Sequence, residues 1–430
     1  MTKETNPLIR KLVLVTGLGF AMTFAAQANG EDVRRPAFVL PETIWAAPDL
    51  ECNVYFDSSL DSVRPEVYAY EALCAVGRCE NRRWTWKPTK ADAGRMERLV
   101  LDAWSDFGLQ ASVTVTVRVA RLPQEGSPKV TMALLADSLV GGRFQDWIMK
   151  DVRDAGWTNF TPVGSHSGPS VSSVCRPGEA AHDGYGGFAP RDFLERYRVT
   201  DEDLGSINDA AEREQLKAMG EVFPAGSGKM LLKSPLVRIV NGRKTVDVQA
   251  WLDRINGGQP PDFIGIQLGV NGTCIVRDEA MAAGYCEREQ VEPMRRLIKL
   301  LRASAPNAEI GIGISETGAT DQDAFGRNYG CQVSRVQARK NLFRLNRLWI
   351  ALVKEFNDAG DRRVFAVPHG PATDQDHGIP HEQVPAFEGS TVMVSRAANA
   401  YHPTKESARQ TGGAYAAWIL CRLGERQSCD

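Results

Sequence analysis

Four short stretches of the chain hold residue types that could transfer an acyl group. The first is Leu134-Leu135-Ala136-Asp137-Ser138-Leu139. An apolar run ends there in a Ser, whose hydroxyl could attack a carbonyl carbon. In the second, His182-Asp183-Gly184-Tyr185-Gly186-Gly187-Phe188, clustered glycines let backbone N–H groups approach a ligand. The third, Gly269-Val270-Asn271-Gly272, offers a side-chain amide that could donate to a developing oxyanion. The fourth, Asn399-Ala400-Tyr401-His402-Pro403, holds a His that could act as general base. Each alone has a plain reading as a helix cap, a loop, an Asn-Gly turn or a lone His. Together they supply a nucleophile, oxyanion donors from two separate loops and a base, which is the kit for acyl transfer.

Elements of alternating type must position these groups. Val130–Ala136, Phe263–Leu268, Ile310–Ile314 and Val364–Val367 are continuous apolar runs, as expected of strands buried on both faces. Helical patterns cover Arg143–Asp154, Val291–Ser304, Val333–Phe356 and Lys405–Leu423. Strands alternating with helices imply a parallel α/β sheet, whose chemistry collects at the carboxyl ends of the strands. Residues 38–122 differ. Asn53–Phe56, Arg83–Trp86, Arg98–Leu101 and the alternating Val113–Val119 read as short strands, which predicts a small all-β sandwich. Arg121–Pro128 is a linker by composition. Between Gly187 and Gly269, Pro190–Tyr197 and Asp201–Gly220 read as charged helical pieces of a lid or substrate wall. Trp84, Trp86 and Trp104 could form a sugar-stacking platform, although Trp in a small sandwich is more often core.

In their order, the four blocks of residues 129–424 resemble those of the SGNH hydrolase superfamily, the GDSL esterases. Ala136 stands where that family has Gly, Gly272 where it has Asp, and Asn399 where it has Asp. The resemblance implies a flavodoxin-like three-layer α/β fold with a parallel sheet. It implies Ser138 as nucleophile and His402 as the base that later protonates the leaving group. The N–H groups of Ser138 and Gly187 and the side chain of Asn271 would form the oxyanion hole. A neutral Asn399 can orient His402 but cannot offset its charge. Either Ser138 and His402 work as a dyad with Asn399 as orienter, or another acid substitutes, with Asp374 and Asp376 as candidates. The implied reaction is ester hydrolysis through an acyl-enzyme, without cofactor. A carbohydrate O-acetyl esterase acting on an acetylated poly- or oligosaccharide is the first expectation. A lipase or thioesterase of the same superfamily, or a non-catalytic glycan-binding or scaffold protein with a degenerate hydrolase domain, is the alternative.

Composition narrows the classes. The 430 residues are 43% hydrophobic and 24% charged, which argues against a disordered or fibrous chain. A net charge of −2 leaves no cationic field for nucleic acid. Residues 1–28 read as a secretory signal. Lys3, Arg10 and Lys11 precede the apolar run Leu12–Ala26, and Ala26-Gln27-Ala28 supplies a cleavage site. That run is shorter than the ~20 residues of a membrane span. The expected protein is therefore secreted or periplasmic, with no stable span once the signal is removed. Its nine Cys could pair in an oxidising compartment in ways that sequence leaves open. His369, Asp374, Asp376, His377 and His381 crowd together, but Pro380 breaks any helix that would align two of the His, so no metal is expected. Gly226–Lys229 resembles part of a phosphate loop, but Phe223 stands where its first Gly belongs.

Overall fold

The strand Val130–Ala136 (β1) is buried at all seven positions, and all but Thr131 are apolar. Its alternate residues serve two different cores. Ala133 and Leu135 face one apolar cluster, while Met132, Leu134 and Ala136 face another. β1 lies within a seven-stranded sheet in a computed structural model that describes residues 36–123, 128–168, 175, 178–197, 199–200, 210–218, 222–223 and 233–427. The signal reading of residues 1–28 and the Gly226–Lys229 stretch lie outside the described residues, and so does Cys429.

The other strands of the sheet are Phe160–Val163 (β2), His166–Ser167 (β3), Ala181–Gly184 (β4), Phe263–Gln267 (β5), Glu309–Gly313 (β6) and Val364–Val367 (β7). Their order is β3-β4-β1-β5-β6-β7, with β2 also on β1. All pairs are parallel except β3 with β4. The chain leaves β1 toward β2 and β4 on one side and returns to β5 on the other. The carboxyl end of β1 is therefore a topological switch point, where α/β sheets open a crevice.

Helices cover both faces. Phe144–Asp154 (α1) and Lys405–Arg426 (α4) pack on one, and Glu292–Ser304 (α2) and Arg335–Asp358 (α3) pack on the other. The α4 face is fitted to glycines in the strands. A Cβ at Gly311 would sit 2.7 Å from the Trp418 ring, and one at Gly313 would sit 2.6 Å from Nε2 of His369. The Ile-Gly-Ile-Gly pattern of β6 thus lets large aromatic rings lie against the sheet.

Residues 36–121 form two small sheets that share one core of Ile44, Val54, Trp84, Leu99, Leu101, Val115 and Val117, and a separate antiparallel pair, Ala37–Phe38 with Leu60–Asp61. Four strands make one sheet, with Thr43–Ala46 running parallel to the end of Gly108–Val119. Three make the other. Trp84 is core and Trp86 packs against it, whereas Trp104 is 37% exposed, so the three do not form one platform. This β part is welded to the α/β part. Trp45 donates from Nε1 to the Ala366 carbonyl (2.9 Å) and lies in the same apolar cluster as α4. Buried Arg339 of α3 donates to the carbonyls of Asp57, Leu60 and Ser62.

Several expected elements shift. The helix after Ser138 does not start there: a 3-10 turn, Ser138–Gly142, comes first, and left-handed Arg143 separates it from α1. The piece Pro190–Tyr197 is a shorter helix, Pro190–Glu195, because Arg196 takes extended backbone at its end; of Asp201–Gly220 only the helix Ala210–Ala218 lies within the described residues. Phe56 is not strand but opens a short helical turn, Phe56–Ser59. The eight described cysteines are all unpaired; Cys52, Cys274, Cys286 and Cys421 are buried.

Candidate active site

Ser138 leaves the sheet two residues beyond β1. The Asp137 N–H still bonds the Gln267 carbonyl of β5 (3.2 Å), so the strand register carries the chain up to the Ser. The Asp137 carboxylate accepts from the Leu139 N–H (3.0 Å) and closes the turn that presents the hydroxyl. Asp137 is therefore the cap that the Asp-Ser pair suggested, of a 3-10 turn and not of α1.

His402 comes from a loop with no regular structure, and hydrogen bonds hold that loop in place. Oδ1 of Asn399 accepts from the N–H groups of Tyr401 (3.0 Å) and His402 (2.9 Å). The Ala400 N–H donates to Asn328 Oδ1 (2.8 Å), and the Ala400 carbonyl accepts from the Ala319 N–H (2.8 Å). Beyond Pro403, Thr404 caps α4 through its hydroxyl. The result is a 2.8 Å contact between His402 Nε2 and Ser138 Oγ, across 264 residues of sequence.

The same Asn399 oxygen also lies 3.2 Å from His402 Nδ1. Two backbone N–H groups already identify that atom as an acceptor, so Nδ1 must carry the proton to bond it. Nε2 is then left with a lone pair aimed at the Ser hydroxyl, as a general base requires. Asn399 thus orients the ring without a charge. Asp374 and Asp376 do not take the place of the missing acid. Both pair with Arg82, at 3.3 and 3.0 Å, and Asp374 also meets His377.

The oxyanion groups collect around Ser138. Gly187 has φ +76, a conformation that favours Gly, and a Cβ on Gly186 would stand 4.0 Å from the Ser138 Cβ. Among the described residues the N–H groups of Ser138 and Gly187 have no protein acceptor. Asn271 is held differently. Its amide donates to Asp137 Oδ2 (3.2 Å) and to the Phe188 carbonyl (3.0 Å). It braces both neighbouring loops and must release one of these bonds to reach an oxyanion. Gly272 has φ +80, and a Cβ there would collide with the Tyr285 hydroxyl, so no carboxylate fits at that position.

Two buried carboxyls flank the site. Burial pushes the Asp137 carboxyl up to about 7, opposed by the Leu139 N–H and reinforced by the charge of Glu316. Packing around the His402 ring pulls its pKa below the ordinary value, although part of its surface is exposed, while Glu316 acts the other way. Glu316 was missed from sequence. It follows β6 in Ile310-Gly311-Ile312-Gly313-Ile314-Ser315-Glu316, and the rule that strand ends carry the chemistry points to it. The suspected His cluster disperses. His369 is buried against Glu316, His377 is exposed beside Asp374, and His381 bonds the Ile379 carbonyl. Among the described residues no three His, Cys, Asp or Glu are grouped to hold a metal.

No protein-family model matches the chain, and no curated protein matches it. Solved structures do. A family 3 carbohydrate esterase from Talaromyces cellulolyticus is 12% identical, with a TM-score of 0.38, over 69% of this chain and 99% of its own. A family two carbohydrate esterase from Clostridium thermocellum, solved with cellohexaose, is 12% identical, with a TM-score of 0.34, over 88% and 94%. Phospholipase A1 from Streptomyces albidoflavus NA297 is 12% identical, with a TM-score of 0.30, over 68% and 100%. At such identities and scores the likeness assigns no residue and no substrate, and the geometry around Ser138 stands by itself.

Proposed function

We propose that the protein is a serine esterase working through an acyl-enzyme, carried by the 2.8 Å contact of His402 Nε2 with Ser138 Oγ. In the first step the Ser138 proton passes to Nε2 as Oγ bonds to the ester carbonyl carbon. This gives an imidazolium and an oxyanion. The N–H groups of Ser138 and Gly187 receive the oxyanion, joined by Asn271 once it turns from Asp137 or Phe188. Collapse breaks the bond to the alkoxide, which takes the proton from Nε2. Water then repeats the sequence on the acyl-enzyme and releases the acid.

The substrate class is a carbohydrate O-acetyl ester, on a protein that acts outside the cytoplasm. This substrate class rests on the resemblance of the four blocks to the GDSL esterases; a cavity of about 530 Å³ beside the start of α4 is lined by Asp49, Glu51, Lys87, Thr404, Arg409 and Gln410 among others, with neither Ser138 nor His402 in its lining. The test is acetate release from acetylated xylan and from p-nitrophenyl acetate, with fluorophosphonate labelling and a Ser138→Ala control. Release from both, abolished in the control, is expected. Release from the small ester alone removes the glycan assignment, and no labelling of Ser138 removes the esterase.

A further inference from the structure

The His402 ring acquires a positive charge in each half-reaction, yet its partner Asn399 is neutral. A carboxylate lies one layer below. Glu316 is 3% exposed and sits in the strap Ser315–Thr320 that leaves the end of β6. This strap is the floor of the His402 loop. The Ala319 N–H bonds the Ala400 carbonyl (2.8 Å), and a Cβ at Gly318 would touch the Tyr401 ring (2.8 Å). Oε1 of Glu316 accepts from His369 Nδ1 (3.2 Å), whereas Oε2 is buried and has no partner among the described residues. His369 Nε2 is also buried without a partner.

We propose that Glu316 is a positioning residue for this hydrolysis: its buried, half-bonded carboxylate stabilises the His402 imidazolium from beneath the loop, in place of an acid at 399. This rests on the esterase reading of Ser138 and His402. No proton moves to Glu316; its field alone acts, and that field is strong because little water screens it. The groups facing it are His369, Thr411 and Tyr415 from the α4 side, Asp137 from the end of β1, and His402 above. Of these, Asp137 adds to the negative field that favours the imidazolium when it is ionised and contributes no charge when it is protonated.

The sign follows directly. A nearby anion favours the imidazolium and holds the His402 pKa up against the packing that lowers it. In Glu316→Gln the acid limb of the kcat/KM profile on p-nitrophenyl acetate therefore moves to lower pH, while the plateau falls about tenfold. A purely structural role would lower the plateau and leave the limb in place. Histidine NMR titration of the same variant reads His402 without any turnover, its signal assigned by its loss in His402→Gln. Should Glu316→Gln not fold, the double variant Glu316→Met/His369→Phe removes the charge without stranding a buried donor, and the same downward shift is expected. A His402 titration unmoved in either folded variant overturns the proposal, and so does a chain that folds with neither. If His402 shifts but Ser138 neither labels nor turns over ester, the esterase reading fails while the electrostatic coupling stands.

Discussion

Two imidazoles in this protein present Nδ1 to a side-chain oxygen at the same 3.2 Å distance. His402 faces the neutral Asn399 in a partly exposed loop, and His369 faces the ionised Glu316 in the core. A serine hydrolase ordinarily unites base and carboxylate in one pair. On the proposed esterase reading, orientation and charge are divided between two. Asn399 can afford neutrality because its oxygen is already fixed by two backbone N–H groups, which settle the tautomer. Glu316 can remain charged in the interior because His369 pairs it and because the strap holds it still. Geometry and electrostatics of one base thus need not come from one residue.

The largest effects test whether His402 alone of the two is chemical. Ser138→Ala and His402→Ala should each lower ester turnover by about 10⁴-fold or more, measured as kcat on p-nitrophenyl acetate. His369→Ala should act on folding instead. It leaves the buried Glu316 charge unpaired, so a urea midpoint loss equivalent to about 3–5 kcal/mol is expected. Removing the exposed His402 should move the same midpoint by no more than about 0.5 kcal/mol. Equal stability losses would break the division between the two imidazoles.

A third imidazole, buried His182 of β4, sharpens the contrast through pH. Burial lowers its pKa to about 4, with His166 adding to the effect. The unfolded chain therefore binds the extra proton first. Stability is intact above the unfolded pKa near 6.5 and falls as pH drops toward 4, by about 3 kcal/mol. Urea unfolding from pH 7 to 4 should show that slope, and His182→Gln should flatten it. Asn399→Ala should cost about ten- to a hundredfold in kcat, since it removes orientation and no charge. A loss equal to that of His402→Ala would show that Asn399 does more than orient. The smallest effect belongs to the cap beyond the loop. Thr404→Ala should cost about 1 kcal/mol of stability, read as a lower melting temperature.

Residue type and position brought Ser138, Asn271 and His402 into view, because each lies at the edge of an element whose periodicity is plain, and the family resemblance singled out Gly187 and Asn399. Four of the seven strands of the central sheet, β1, β5, β6 and β7, were legible for the same reason, since apolar runs have no other stable place in water, whereas β2, β3 and β4 carry no such run. The β part was read less completely. Thr43–Ala46 and Ala69–Leu73 lack a clear pattern, and the first joins the sheet in parallel at the end of a distant strand, a pairing that no local signal encodes. Asp374 and Asp376 looked close to His402 along the chain, yet they turned to Arg82, a cation supplied from the other part of the molecule.

The sequence by itself determined the alternation of strands and helices and brought up Ser138, Asn271 and His402, because both follow from local periodicity and residue chemistry, while Gly187 and Asn399 came from the family resemblance. Only the tertiary structure decided which groups meet. It carried His402 across 264 residues to Ser138, turned the Asn271 amide onto Asp137, and buried Glu316 beside His369 under the His402 loop. Those choices depend on how loops from separate strands pack at one end of a sheet. The energy of a carboxylate is set there by burial and partners, neither of which is written in the residues beside it.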